Sequence, residues 1–393
     1  MSNLSLSSFL LDPSVAFLNH GSFGACPAVV FDEYCAWQRR LENQPVLYLG
    51  REYPRLDRDA RHALGRYLGV HGDDVVFVPN ATHGVNIAAR SIPLRAGDEI
   101  LTTDHEYGAC NYTWQYLCQQ TGARYIMQPI DLPARSSEEI VEQLWRGVNE
   151  RTRVIYLSHL TSPTALIMPV AEICARARAA GIVTVIDGAH APGQLPLNLS
   201  ALDPDFYTGN CHKWMLSPKG AGFLYVRRSI QPQVQPLVVS WGRQALPEKS
   251  AGSQFVDDFT WTGTQDPAAY FSVPAAIRFL EQHDWPAVRA RCHELLRSFL
   301  PRIRSITGMP AAYPDESELY GQMAVCLLPP ETDIDRLKER LYDDFMVEVP
   351  LIDWNGRKLL RISVQCYNTP EDLNRLTQAL AVLLPQTARV TPK

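Results

Sequence analysis

The 393-residue chain has no Cys-x-x-Cys pair, although it carries nine cysteines. Their odd, scattered distribution argues against both a structural zinc site and a disulfide framework. Small buried thiols in a reducing cytosol suit them, Cys118 and Cys174 in helix-like segments included. Dense runs of Lys or Arg are also missing, and 37 basic against 42 acidic residues leave a net charge of −5. A nucleic-acid partner is therefore not expected, because nothing neutralises a phosphate backbone. No segment reaches the roughly 20 apolar residues of a membrane-crossing helix. The opening MSNLSLSSFLLDPS lacks a positive start and meets Asp12 and Pro13 before an adequate apolar stretch accumulates, so a secretory signal is not expected. These absences point to a soluble, cytoplasmic protein without membrane or nucleic-acid partners, and neither internal repeats nor low-complexity tracts are visible.

What is present is ordinary globular composition, 46% hydrophobic and 20% charged. The length predicts one large lobe and one smaller, since single cores rarely grow past roughly 250 to 300 residues. Between about 55 and 230, apolar β-rich runs alternate with helix-period segments. Strands are expected at Asp74–Val78, Glu99–Thr102, Arg124–Gln128, Val154–Ser158, Ile182–Ile186 and Gly222–Val226. Helices are expected at Leu56–Leu68, Thr82–Ala89, Ala109–Gln120, Ser137–Val148 and Val170–Ala180. Such near-continuous Val/Ile/Leu strands predict an α/β fold, a mostly parallel sheet covered by helices on both faces, with active groups at the strands' carboxyl ends. Residues 228–268 read as irregular. Helices at Ala275–Glu281, Trp285–Ile303 and Pro370–Leu384 and strands at Met323–Leu327 and Leu359–Ser363 then predict a compact α+β lobe. The expected division is an N-terminal segment 1–20 near the active site, a large cofactor-binding domain 21–270 and a small C-terminal domain 271–393.

Chemistry concentrates in Val183–Gly193 and Tyr207–Trp214. Asp187 ends an apolar strand, where a carboxylate is costly unless a cation receives it; a protonated pyridine nitrogen is such a partner. Lys213 lies 26 residues on, between His212 and Trp214 and before the small residues Gly220, Ala221 and Gly222. A desolvated amine there has a lowered pKa, free to form an imine and to shuttle protons. In Val78–Asn86 a strand turns into a helix, and the amides at Asn80, Ala81 and Thr82 with the Thr82 hydroxyl offer an anion cradle. Arg361, in the apolar strand Leu359–Val364, needs an anion, and an amino-acid carboxylate offers bidentate geometry.

The stretches Leu18–Gly24 (LNHGSFG), Thr103–Gly108 (TDHEYG), Ser158–Thr164 (SHLTSPT), Asp187–Pro192 (DGAHAP), Gly209–Trp214 (GNCHKW), Ser240–Gly242, Gly263–Pro267 (GTQDP), Arg361–Ser363 and Tyr367–Asn368 resemble the class V aminotransferases, fold-type-I enzymes dependent on pyridoxal 5'-phosphate. Within that family the sequence is most similar to the bacterial isopenicillin N epimerases. The resemblance implies Lys213 as the imine-forming lysine and Asp187 as partner of the pyridine nitrogen. It places His190 beside the phenolic oxygen, with Ser162 or Thr161 near that edge. Tyr107 would stack on the ring, with His105 able to exchange roles. Thr208 and His212 would serve the phosphate, joined by Thr264 from a second subunit, which implies a homodimer with a shared site. Asn19 and His20 would approach the substrate with Arg361, and Arg51 and Tyr53 its side chain. The substrate class is an amino acid or small peptide-like amine handled at Cα, with epimerisation preferred and carbon–sulfur lysis or transamination as alternatives. Epimerisation requires a proton donor on each face: Lys213 on one, and Tyr107, His105 or His20 on the other. Met346–Trp354, where related desulfurases carry a reactive cysteine, has none, and Cys366 does not match that position, so a persulfide-forming enzyme is not expected.

Overall fold

The computed structural model describes residues 4–246 and 250–387. Its strands are β1 (Ala16–Phe17), β2 (Val75–Val78), β3 (Glu99–Thr103), β4 (Arg124–Gln128), β5 (Thr152–Ser158), β6 (Val183–Gly188), β7 (Phe206–Asn210), β8 (Gly222–Val226), β9 (Met323–Leu327), β10 (Val347–Glu348), β11 (Leu351–Trp354) and β12 (Arg357–Ser363). Seven of them form one sheet in the order β2-β8-β7-β6-β5-β3-β4. From β7 to β4 every neighbouring pair is parallel, and only β8 runs against both neighbours. The α/β expectation, mostly parallel and helix-covered, holds.

Strand periodicity explains the two layers of core. Leu101, Ile155, Ile186, Tyr207 and Phe223 pack into one cluster of buried side chains, while Ile100, Val154, Val185, Phe206 and Leu224 pack into the other. Successive residues point to opposite faces, so a strand buried on both sides must be apolar throughout. Helices then cover each face. Ala81–Ser91 starts where Asn80 Oδ1 accepts the His83 amide, and Ser137–Trp145 where Ser136 accepts that of Glu139. Gly84 lets the first of these helices approach β7, because a Cβ there would lie 2.0 Å from Thr208 Oγ1.

The second sheet is antiparallel, β11-β12-β9, with Arg361 of β12 opposite Val325 of β9. The N-terminal segment joins it. β1 pairs in parallel with β10, Leu18 N donates to Glu348 O at 2.9 Å, and Ser363 N donates to Leu18 O at 2.9 Å. Residues 18–22 are thereby laid beside β12.

Several elements differ from expectation. Helices Ala28–Asn43 and Ile334–Phe345 were not anticipated, and the stretch expected to be irregular contains a helix at Gln254–Thr260. Ala28–Asn43 packs on the core through Val30, Tyr34, Trp37 and Leu41, a stripe at helical spacing of which only Val30 is fully buried. All nine cysteines are free, six of them buried, and among the described residues no helix is long and apolar enough to cross a membrane.

Candidate active site

The carboxyl ends of β3, β5, β6 and β7 converge on one region. Asp187, second to last in β6, lies opposite Ser158 of β5 and Thr208 of β7. Its carboxylate is buried; Oδ1 accepts the Ala189 amide at 2.9 Å, and Oδ2 meets Tyr156 Oη at 3.4 Å and Cys110 Sγ at 3.7 Å. Burial pushes its pKa up, against the attraction of the Lys213 charge. Lys213 follows β7 in the turn 211–215, where Gly24 packs against its backbone. A Cβ on Gly24, whose φ is +71°, would lie 2.0 Å from His212 O. Desolvation, reinforced by the nearby Arg361 charge, lowers Lys213 to about 8. Its Nζ lies 3.1 Å from His190 Nε2.

Arg361 is 4% exposed. Its Nη1 donates to Ser162 O at 2.6 Å and Ser162 Oγ at 3.0 Å, and its Nη2 to Ser22 Oγ at 3.0 Å. The buried Nε has no partner, and burial lowers the guanidinium to about 10. A cation enclosed by neutral acceptors, with one N–H idle, is a site awaiting an anion.

The geometry reassigns several expected residues. His105 is wholly buried, with Nδ1 2.7 Å from Thr164 Oγ1 and Nε2 2.9 Å from Ile130 O. Both nitrogens are engaged, so it holds the loop after β3 and cannot serve as a free proton donor. His20 is also enclosed, bonded to Tyr367 Oη at 2.9 Å and to Lys213 O at 3.1 Å, and burial lowers it to about 3. It supports the lysine backbone and has no open nitrogen for substrate. Asn19 reaches Glu348 and Ser22. Thr208 spends its hydroxyl hydrogen on Phe223 O at 2.7 Å, which removes it as a phosphate donor. The Ala81 amide likewise goes to Asn210 Oδ1 at 2.8 Å. Ser162 serves Arg361, and Thr161 braces its own turn through Thr164 Oγ1 and the Leu166 amide. Tyr53 packs edge-on against Trp261 in the core, while Arg51 is solvent-exposed. Thr264 lines a 590 Å³ apolar recess with Val46, Leu49, Tyr53, Trp241 and Leu246.

Other expected residues keep open functional groups. Of the first-turn amides in Ala81–Ser91, those of Ala81, His83 and Gly84 are taken by Asn210 and Asn80. That leaves Thr82, with its hydroxyl, facing outward at a helix N-terminus. His212 Nδ1 engages Ala221 O at 3.2 Å and leaves Nε2 available. Tyr107 caps the helix Gly108–Thr121 and remains 48% exposed.

Glu106 escaped the sequence reading. It is fully enclosed, accepting hydrogen bonds from Thr103 Oγ1 at 2.7 Å, Ser158 N at 2.7 Å and Ser158 Oγ at 2.6 Å. Burial outweighs these donors and raises it to about 7. Its place between the ring-stacking candidate and two strand ends was the available signal, but a Glu beside Tyr107 reads as a surface residue until the strands are aligned.

This constellation fits pyridoxal 5'-phosphate. Asp187 is a buried carboxylate attracted by the Lys213 charge, Lys213 an amine lowered to about 8, and Thr82 and His212 supply unspent donors for a phosphate. The chain is 35% identical to isopenicillin N epimerase of Amycolatopsis lactamdurans over 95% of its own length and 96% of that protein. It is 27% identical to a probable chloroplastic L-cysteine desulfhydrase of Arabidopsis thaliana, covering 94% and 83% respectively. Its fold matches that of a C-DES mutant with glycine covalently linked to the PLP cofactor, at a TM-score of 0.81 and 22% identity over 94% of this chain and 97% of the other. The family model for class-V aminotransferases matches residues 33–376. With that span and a full-length relative at that identity, the chain belongs to the class-V aminotransferase family, whose cofactor is pyridoxal 5'-phosphate.

Proposed function

We propose that this enzyme inverts the Cα centre of an amino acid or small peptide-like amine. Bound pyridoxal phosphate supplies the electron sink for the pair left when a Cα bond breaks. Lys213 would hold it covalently, Asp187 would keep its ring nitrogen protonated, His190 would serve its phenolic oxygen, and Thr82 and His212 would serve its phosphate. Arg361 receives the substrate carboxylate. Lys213 would take the Cα proton on one face.

The observation that carries this reading is the enclosed Lys213 amine, lowered to about 8, which makes it a base near neutral pH. Tyr107 is the proton donor for the second face, since both ring nitrogens of His105 and of His20 are occupied. The 35% identity to an isopenicillin N epimerase favours inversion. Carbon–sulfur lysis of a cysteine-derived substrate is the second reading, favoured by the likeness to an L-cysteine desulfhydrase; transamination is a third outcome on the same residues. The working unit is a homodimer with a shared site: Trp241 is 81% and Val46 71% exposed around the recess that holds Thr264, an apolar surface suited to a second copy.

The purified, cofactor-loaded enzyme is incubated in deuterium oxide with a panel of α-amino acids and small peptides. Chiral analysis, Cα deuterium, pyruvate and ammonia are then measured. Inversion with deuterium at Cα is expected. Release of pyruvate with no inversion of any centre overturns the epimerase reading in favour of the lyase.

A further inference from the structure

Arg361 is connected to a carboxylate two side chains away, and the direction of every hydrogen in the connection is fixed by chemistry. A guanidinium can only donate, so Ser22 Oγ accepts from Nη2 at 3.0 Å. The Ser22 hydroxyl hydrogen therefore goes to Asn19 Oδ1, 2.5 Å away. With its oxygen so engaged, Asn19 presents Nδ2 to Glu348 Oε1 at 2.8 Å. The chain runs from buried cation to carboxylate with no group facing the wrong way. Its members come from three places: β12, the N-terminal segment and β10. The β1–β10 pairing and the Leu18 bonds to Glu348 O and Ser363 N lock those places together.

We propose that Ser22, Asn19 and Glu348 are positioning residues that orient Arg361 for the substrate carboxylate, so that carboxylate affinity is set partly from the N-terminal segment. Ser162 holds Nη1 through two oxygens and Ser22 holds Nη2, which fixes the plane of the guanidinium and leaves the buried Nε as its one N–H without a partner. The negative charge of Glu348 is felt along polarised bonds without forming the direct ion pair that would occupy the substrate's place. The inference rests on the assignment of Arg361 to the substrate carboxylate.

The test is a spectral titration of the loaded enzyme with an α-amino acid and with the amine that lacks its carboxylate, comparing wild type, Ser22→Ala, Ser22→Thr, Glu348→Gln and Arg361→Ala. Ser22→Ala and Glu348→Gln are expected to weaken the amino acid by about tenfold, the scale of one hydrogen bond to a charged group. The amine should bind each variant as it binds wild type, and Ser22→Thr should restore the amino acid to near wild-type affinity. If the amino acid binds Ser22→Ala and Glu348→Gln unchanged while Arg361→Ala loses it, the positioning role is wrong and the Arg361 assignment stands. Equal weakening of amino acid and amine also overturns it, because that is the mark of a merely structural role. If Arg361→Ala keeps its preference for the amino acid, the carboxylate assignment itself fails and the inference falls with it.

Discussion

His190 stands between Lys213 and Trp214, with Nε2 3.1 Å from the lysine Nζ and Nδ1 3.3 Å from the indole Nε1. An indole N–H only donates, so His190 Nδ1 accepts and the ring proton of the neutral tautomer sits on Nε2. Burial keeps His190 well below its ordinary range and hence neutral. Nε2–H then points at Nζ, a geometry that only the uncharged amine satisfies. Trp214 thus holds Lys213 in its reactive form through the histidine.

Replacing Trp214 with Phe removes that constraint. The imidazole can then turn an unprotonated nitrogen to Nζ and stabilise the ammonium, which raises the lysine pKa. Imine formation between cofactor-free enzyme and pyridoxal phosphate, followed by visible absorbance near neutral pH, should slow several-fold, and the midpoint of its pH profile should move up by about one unit. An unchanged midpoint would show that the tautomer does not control the amine.

Lys213→Ala should give protein without the lysine-bound visible band, and borohydride should leave no pyridoxyl group on the corresponding peptide. Asp187→Asn keeps the size but loses the charge facing the ring nitrogen. It should retain that band and lose turnover by about a hundredfold or more, the scale of removing a charge stabiliser from a closed site.

Tyr107→Phe separates the two faces. Deuterium incorporation with retained configuration should persist through Lys213, whereas inversion should fall by about a hundredfold, within the range of general acid catalysis. Chiral chromatography with mass detection reads both. Inversion at the wild-type rate would exclude Tyr107 as the second donor.

Glu106 predicts a pH effect on stability. Its folded value is about 7 against an ordinary 4.5, a carboxyl that prefers to be neutral where it is buried. Its stabilising contribution is therefore fully present below about 4.5 and is lost as pH rises through about 7, on the order of 3 kcal/mol in all. Glu106→Gln should flatten the decline in stability between pH 5 and pH 8, measured by urea unfolding of the two proteins. The Asp187 charge helps to raise Glu106, so the difference between the two proteins reports the pair rather than Glu106 alone.

What the sequence by itself determined were the features carried by local pattern. The apolar strands Gly222–Val226 and Met323–Leu327 fall where their runs of residues predict, because an element buried on both faces has nowhere to hide a polar side chain. Lys213, Asp187 and Arg361 were legible for the same reason: each is a charge set in apolar surroundings, and the structure encloses all three. Only the tertiary structure decided which neighbouring polar groups are free. His105, His20, Thr208 and the Ala81 amide carry the right atoms, yet each is spent on Ile130 O, Lys213 O, Phe223 O or Asn210 Oδ1. Ser22 and Glu348, 326 positions apart in the sequence, meet through Asn19 because β1 pairs with β10. Hydrogen-bond partners are chosen across the sheets and between segments remote in sequence, at separations where residue spacing along the chain carries no distance information.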